Sequence, residues 1–360
     1  MTKSSSHRYL PPAKWLTLFN SLGLPFKLKT IGYSVENRPI QVLVFGKGMK
    51  KVLGWSQMHG NETTTTYALL DLVSKLLTPS SSYLLDDIQF AFIFQLNPDG
   101  AVRYTRLNAV HVDLNRDASE QSQPETQTLI DLFESFKPDY CLNLHGQRTV
   151  FAAGDTEKSA SLSFLAPAAD FERSHTPARK KAMAIIARAS VAIQSDNQWG
   201  IGKYDDTFNI NCTGDYFTAK GVPTILVEAG HFPNDYDRLM TRKLVLSALE
   251  HFILSIHEEN FTEEEVDAYM AIPNNFSHLC DVAFTNVFVI KNDQITNSTL
   301  FVQFEEELEG EKIIFRAKHI ENENIKVAHK TYDLHGINRE NPINLEFSPK
   351  EIAKTLFSLL

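Results

Sequence analysis

Cysteine is scarce in this chain: Cys141, Cys212 and Cys280 are the whole complement in 360 residues. Three is too few for a disulfide framework and leaves one over in any pairing, so a reducing, cytoplasmic setting is expected. Long apolar runs are missing too. No stretch approaches the roughly 20 residues needed to cross a bilayer, and the opening M-T-K-S-S-S-H-R-Y-L-P-P lacks the apolar core of a secretory signal. No membrane partner is expected. Basic charge is not in excess, with 35 Lys and Arg against 44 Asp and Glu and a formal net charge of −9. General nucleic-acid binders are usually basic, so no nucleic-acid partner is expected either. Internal repeats and low-complexity tracts are also absent.

What is present is an ordinary globular composition, 43% hydrophobic and 22% charged, in a chain long enough for one large α/β domain with a small appendage. Residues 13–22 read as a short amphipathic helix. Residues 26–33 and 40–45 read as strands joined by E-N-R-P, a hairpin signal. A strand over 52–58 is followed by a helix to Leu77 and a loop with Pro79 and three serines. Residues 88–96, I-Q-F-A-F-I-F-Q-L, are almost wholly apolar, as a strand buried on both faces should be. Helices over 124–136, 174–195 and 235–257 alternate with strands over 140–144 and 222–227. That alternation predicts a mixed, largely parallel sheet with helices on both faces. After residue 273 the pattern turns β-rich, with strands over 282–290, 299–305 and 312–317, separated by N-D, E-G-E and E-N-E-N turns, and a short helix over 349–359. The expected division is therefore 1–273 and 274–360.

The chain is organised around V-L-G-W-S-Q-M-H-G-N-E at 52–62. A strand-like run delivers His59, a Gly60-Asn61 corner follows, and Glu62 comes three residues after His59. Imidazole nitrogen and carboxylate oxygen are both ligand types that Zn²⁺ takes. H-x-x-E alone is common, and a surface His before a helix-opening Glu gives the same letters. Other strands also end in polar groups: 88–96 in N-P-D-G, 140–144 in His145, and 222–227 in Glu228. In sheets of this kind, ligands gather outside the carboxyl ends of the strands. Three protein ligands and one open position describe a catalytic zinc site, whereas structural sites are closed and usually cysteine-rich. Such a site needs a carboxylate as base and later as acid, and Glu228 is the candidate. A strand-end histidine bonded to backbone, or a glutamate paired with an arginine, would be the plainer account of His145 and Glu228.

In order, H-G-N-E, N-P-D-G, T-R, D-L-N-R, L-H-G and V-E-A-G resemble the M14 zinc carboxypeptidases over roughly residues 26–255. The resemblance implies one zinc ion per chain on His59, Glu62 and His145, and a catalytic base at Glu228. It implies that Asn115 and Arg116 hold the terminal carboxylate of a peptide or peptide-like substrate, and that Arg106 stabilises the oxyanion. Arg116 has a competing reading as an ion pair with Asp113 or Asp117. Two tyrosines, Tyr204 and Tyr216, qualify for the family's substrate-capping position, and the distance to Glu228 favours Tyr204. Asp215 lies in the zone that selects the leaving side chain, where it would suit a positive charge; it also reads as a helix N-cap before Tyr216. Gln147 and Arg148 are candidates for the pocket lining. His231 is a candidate support for Glu228, or simply the start of a loop, and Cys212 reads as a small buried residue. Within this fold, an amidase on γ-D-glutamyl–diaminopimelate peptides is one expectation. The alternatives are an N-acyl amino acid deacylase similar to the succinylglutamate desuccinylase and aspartoacylase group, and a non-catalytic binding scaffold.

Overall fold

The computed structural model describes residues 3–5, 7–193, 199–321 and 324–360. The opening stretch, the predicted helix 174–195 and the E-N-E-N turn each run partly outside that set. Four parallel strands stand side by side at the centre of a ten-stranded sheet: Thr224–Ala229, Tyr140–Gly146, Lys50–Trp55 and Ile88–Ile93. Leu53, Phe90, Phe92, Leu142 and Val227 on these strands are fully buried, which is why the runs are apolar without alternation. Parallel order is confined to this centre and one edge pairing. Ser159–Leu165 lies antiparallel to Thr224–Ala229 on one flank, and Pro39–Phe45 antiparallel to Ile88–Ile93 on the other. Pro39–Phe45 forms the expected hairpin with Leu28–Tyr33.

Helices cover both faces, as the pattern predicted. Thr64–Leu76, Pro177–Ala192 and Leu239–Glu258 pack on one face, and Pro124–Phe136 with Thr213–Ala219 on the other. On the second face Phe133 and Phe217 stack with centroids 4.0 Å apart, and Phe217 meets Trp55 edge-on. Several boundaries move for local reasons. The strand expected over 52–58 stops at Trp55 because Gln57 turns left-handed, with φ 44°. The helix expected from 235 starts at Leu239, because the Asp235 carboxylate lies outside it and accepts from the N–H groups of Leu239 and Met240. Ser159–Leu165 carries a strand the pattern did not reveal; its buried Ser159 and Ser161 hydroxyls both donate to the carbonyl of His231.

A second, six-stranded sheet is built on Leu279–Lys291, Gln294–Glu309, Lys312–Ile320 and Val327–Asp333. The N-D turn has both residues left-handed, Asn292 at φ 50° and Asp293 at φ 61°, the form that suits a tight hairpin. Helix Pro349–Ser358, opened by a capping box of Ser348 and Glu351, lays Ile352, Ala353 and Leu356 on the sheet's apolar face. The short strand Lys3–Ser5 joins this sheet, while Asn275–Phe276 pairs with Ala152–Ala153 in the first. The two sheets are tied by buried polar contacts. Arg8 pairs with Glu306 at 2.8 Å, the Tyr236 hydroxyl donates to Asp281 at 2.6 Å, and His329 meets the Thr149 carbonyl at 2.7 Å. Tyr9, Tyr104, Ile313 and Phe315 fill the apolar part of the seam. Among the described residues, no helix is long and apolar enough to cross a membrane.

Candidate active site

The two sequence motifs at the head of the chain fold onto each other. After Trp55 the backbone turns at Gln57, whose side-chain amide donates to the Gly60 carbonyl at 2.8 Å. Gly60 has to be glycine, because a Cβ there would come within about 2.0 Å of the Gly100 backbone. That contact joins H-G-N-E to N-P-D-G. Asn97 caps the helix Pro98–Arg103 by accepting from the Gly100 N–H at 2.8 Å, and donates to the Met58 carbonyl at 3.2 Å. Asp99 is fully buried and holds the 34–38 hairpin turn through Ser34 and the Glu36 N–H. The two motifs thus fix the position of His59 from both sides.

His59, Glu62 and His145 form a metal-binding group, with one ligand atom from each lying within 4.8 Å of the others. His59 Nδ1 stands 2.9 Å from Glu62 Oε1, and His145 Nδ1 stands 3.0 Å from Glu62 Oε2 and 3.1 Å from His59 Nδ1. The far nitrogen of His59 lies 3.0 Å from Asp113 Oδ1. An ionised carboxylate only accepts, so Nε2 donates to it and leaves Nδ1 with a lone pair toward the cluster. Two imidazole nitrogens and a carboxylate therefore converge on one point, which suits a divalent cation. Without one, burial works against the His59 imidazolium, but the charge of Glu62 and the Asp113 bond outweigh it and raise it to about 9. Burial likewise opposes ionisation of Glu62 and Asp113. Their histidine partners, joined for Asp113 by Arg106, still hold both well below the usual carboxylate range.

Glu228 and His145 are register partners on adjacent parallel strands, so their side chains stand on the same face of the sheet. Glu228 is one of the half-buried residues of its strand by exposed area, yet its Oε2 is buried and has no hydrogen-bond partner. Burial, with the nearby charge of Glu62, pushes its carboxyl well above the ordinary range. Such an environment suits a group that takes up a proton and gives it back.

A cavity of about 970 Å³ opens over these groups. It brings together His59, Glu62, Glu228, Arg106, Asn115, Arg116, Tyr204 and Asp215. Arg106 grips Asp113 through Nε and a terminal nitrogen, at 3.1 and 3.0 Å. The carboxylate considered as a partner for Arg116 is therefore occupied by Arg106. Asp117 is used in turn on the backbone of Ser122 and Gln123. Arg116 is exposed, bonds only the Asn115 carbonyl at 2.6 Å, and forms no ion pair among the described residues. Asn115 is fixed by accepting from the Thr213 N–H at 3.1 Å.

Of the two tyrosines, Tyr204 lines the cavity, where burial and the charge of Glu228 raise its phenol. Tyr216 packs with the core cluster around Trp55 and accepts from Gln121 at 3.3 Å. The N-cap reading of Asp215 gives way: helix Thr213–Ala219 has Cys212 at its N-cap, and Asp215 is the third residue inside it. Burial raises the Asp215 carboxyl to about 7, against backbone N–H groups of Asn209 and Ala168 that favour its ionised form. The Cys212 thiol is pushed by burial to about 11 and stays protonated near neutrality. Gln147 and Arg148 line the cavity as expected. His231 packs against Tyr236 and His329, with centroids 4.8 and 4.5 Å away.

Two features of the site escaped the sequence reading. Asp113, read only as a partner for Arg116, is the carboxylate behind His59; its place at the head of D-L-N-R was the available signal. Asn143, two residues before His145 on the same face, is buried in the wall with neither side-chain polar atom bonded.

Residues 25–116 match the family model for zinc carboxypeptidases, Peptidase_M14. "Probable carboxypeptidase 2" of Trichophyton verrucosum is 29% identical over 111 residues, covering 30% of this chain and 21% of that protein. "Carboxypeptidase 2" of Trichophyton rubrum is 28% identical over 100 residues, covering 27% and 19%. The chain thus spans about a fifth of the length of these curated relatives. Among solved structures, a metallo-carboxypeptidase from Burkholderia cenocepacia superposes with a TM-score of 0.54 at 20% identity, over 71% of this chain and 70% of that one. A metallo-carboxypeptidase from Pseudomonas aeruginosa, solved with (2-guanidinoethylmercapto)succinic acid, gives 0.54 at 17%, over 69% and 70%. Residues 25–116 thus resemble the M14 zinc carboxypeptidases, and the fold of the chain is similar to that of the metallo-carboxypeptidases.

Proposed function

We propose that this protein hydrolyses the amide bond next to a free C-terminal carboxylate in a peptide or peptide-like substrate, with one zinc ion on His59, Glu62 and His145. The observation that carries the reading is that one cavity is lined by His59 and Glu62 of this metal-binding group, by the poorly solvated Glu228 carboxyl and by Arg116, which has no ion pair among the described residues. Bound zinc would supply Lewis acidity, lowering the pKa of water and polarising the scissile carbonyl. Glu228 takes the proton from the attacking water and returns it to the departing amine nitrogen. Arg106, braced by Asp113, donates to the carbonyl oxygen as it gains charge. Arg116 and Asn115 hold the substrate carboxylate, for which a planar guanidinium offers two parallel bonds. Tyr204 covers the bound substrate with its hydroxyl. Asp215, when ionised, pairs with a positive charge on the leaving residue, which a lysine, arginine or diaminopimelate would carry. Amidase action on γ-D-glutamyl–diaminopimelate peptides is the form of this reading that uses Asp215 and a cytoplasmic setting together; the three free cysteines support that setting.

The test is metal content and turnover measured in one preparation. The panel holds C-terminal peptides with basic, aromatic and acidic ends, a γ-D-glutamyl–diaminopimelate peptide, and N-acyl amino acids. One zinc per chain with release of a C-terminal residue is expected. Cleavage of N-acyl amino acids alone would move the protein to deacylase chemistry, and no turnover at all would overturn the reading.

A further inference from the structure

The cavity is not walled by the catalytic sheet alone. Gln303, Phe304, Glu305, Glu306 and Lys318 of the second sheet also line it. Most cations on its wall are already satisfied. Arg8 pairs with Glu306, Arg106 with Asp113, and Lys318 with Glu305. The buried Arg238 donates to the carbonyls of Ala229 and Gln147. Arg116 and Arg148 are exposed and have no carboxylate partner among the described residues.

The strand that carries His145 orders these two groups. Asn143 lies beside Gly214 of helix Thr213–Ala219, at the end of the cavity where Cys212 feels the charge of Arg116. Two residues on, His145 meets Glu62. Three residues further, Arg148 acts electrostatically on Tyr204, and its neighbour Thr149 accepts from Gln303 of the second sheet at 2.6 Å. The sequence of groups is therefore guanidinium, metal-binding group, guanidinium. Resting on the function proposed above, Arg116 takes the carboxylate of the leaving residue, so Arg148 faces the acyl side of the scissile bond.

We propose that Arg148 is a second anion subsite, placed against the C-terminal sheet, and that the preferred substrates carry an anionic group on each side of the amide they lose. Charge-assisted, bidentate bonding makes a guanidinium selective for carboxylate over its neutral amide isostere. The Glu305–Lys318 pair elsewhere on the cavity wall is internally neutral.

The experiment compares matched peptides, acetyl-Glu-Lys and acetyl-Gln-Lys, on the zinc-loaded full chain and on its Arg148→Gln and Arg148→Lys variants. The parent is expected to favour the Glu peptide about tenfold in kcat/KM, mostly through KM, the scale of one charge-assisted bond. Arg148→Gln should bring that ratio to about one, and Arg148→Lys should restore part of it, whatever happens to absolute turnover. A parent ratio near one, or a ratio that survives Arg148→Gln, overturns the subsite. Equilibrium binding of the same pair to the Glu228→Gln protein separates the two proposals. Tighter binding of the Glu peptide, lost with Arg148→Gln, upholds the subsite even if no C-terminal residue is ever released. Equal binding removes it even if turnover is brisk.

Discussion

The carboxyl edge of the four parallel strands and the C-terminal sheet border the same cavity on different terms. At the parallel edge the chemistry is buried and braced. His59 is held by Asp113, Glu62 accepts from the Gly146 N–H at 2.9 Å, and Asn115 is held by Thr213. On the C-terminal sheet the charges facing the cavity neutralise one another in pairs, Glu305 with Lys318 and Glu306 with Arg8. In the first region Glu228 Oε2 has no hydrogen-bond partner and Arg116 no ion pair among the described residues; the second presents groups whose partners are already in place. On the function proposed above, that contrast separates a reacting surface from a wall, and it can be broken or sharpened by substitution.

The largest effect should come from the metal-binding group. Glu62→Gln removes a charged ligand and is expected to lower both zinc retention after dialysis and turnover by about 10³-fold or more, read by metal analysis and by rate. Next comes Arg116, whose guanidinium has no carboxylate partner among the described residues. Arg116→Ala should reduce kcat/KM by about 10²-fold, carried mainly by KM, because it removes binding made before the transition state. On the wall, the readout changes from activity to stability. Glu306→Gln leaves Arg8 charged and poorly solvated at the seam, and should cost about 2–4 kcal/mol in urea unfolding; a loss below about 0.5 kcal/mol would mean the seam is not held by that pair.

The last test concerns Asp215 and reads stability against pH. Burial raises its carboxyl from 3.8 to about 7. The folded chain therefore keeps a proton there that the unfolded chain has already lost. The stability this gives is complete below about pH 4 and is lost as the pH climbs to about 7. Asp215→Asn stays neutral throughout, so its stability relative to the parent should rise by up to about 1.4 kcal/mol per pH unit across that window and then level off. A pH-independent difference would show that folding does not raise the Asp215 carboxyl.

Much of the candidate site was legible because His59, His145 and Glu228 each follow an apolar run, and apolar runs are what a single sequence shows best. His59, His145 and Glu228 come from strands buried on both faces, and the structure sets the last two in register. Asp113 entered the sequence reading only in the competing account of Arg116, because it is near along the chain, whereas the turn at Leu114–Arg116 leaves its carboxylate for His59 and Arg106. The strand Ser159–Leu165 was missed because three serines interrupt it, and only the folded chain shows that His231 and Asn275 satisfy their hydroxyls. Asp215 was ambiguous because burial, which separates a pocket carboxylate from an N-cap, leaves no mark in one sequence. The wall was illegible for a related reason. The alternation in 294–309 predicts a strand, but not that Gln303 to Glu306 look into a cavity built some 150 residues earlier along the chain.

The central claim is that Glu228 moves the proton while His59, Glu62 and His145 hold the metal. Its most direct test is the Glu228→Gln protein, with zinc content, thermal unfolding and turnover measured on one sample. Zinc at one per chain, unfolding like the parent's, and turnover reduced about 10³-fold or more are expected, since the amide cannot accept the proton. Near-parental turnover in that sample would contradict the account.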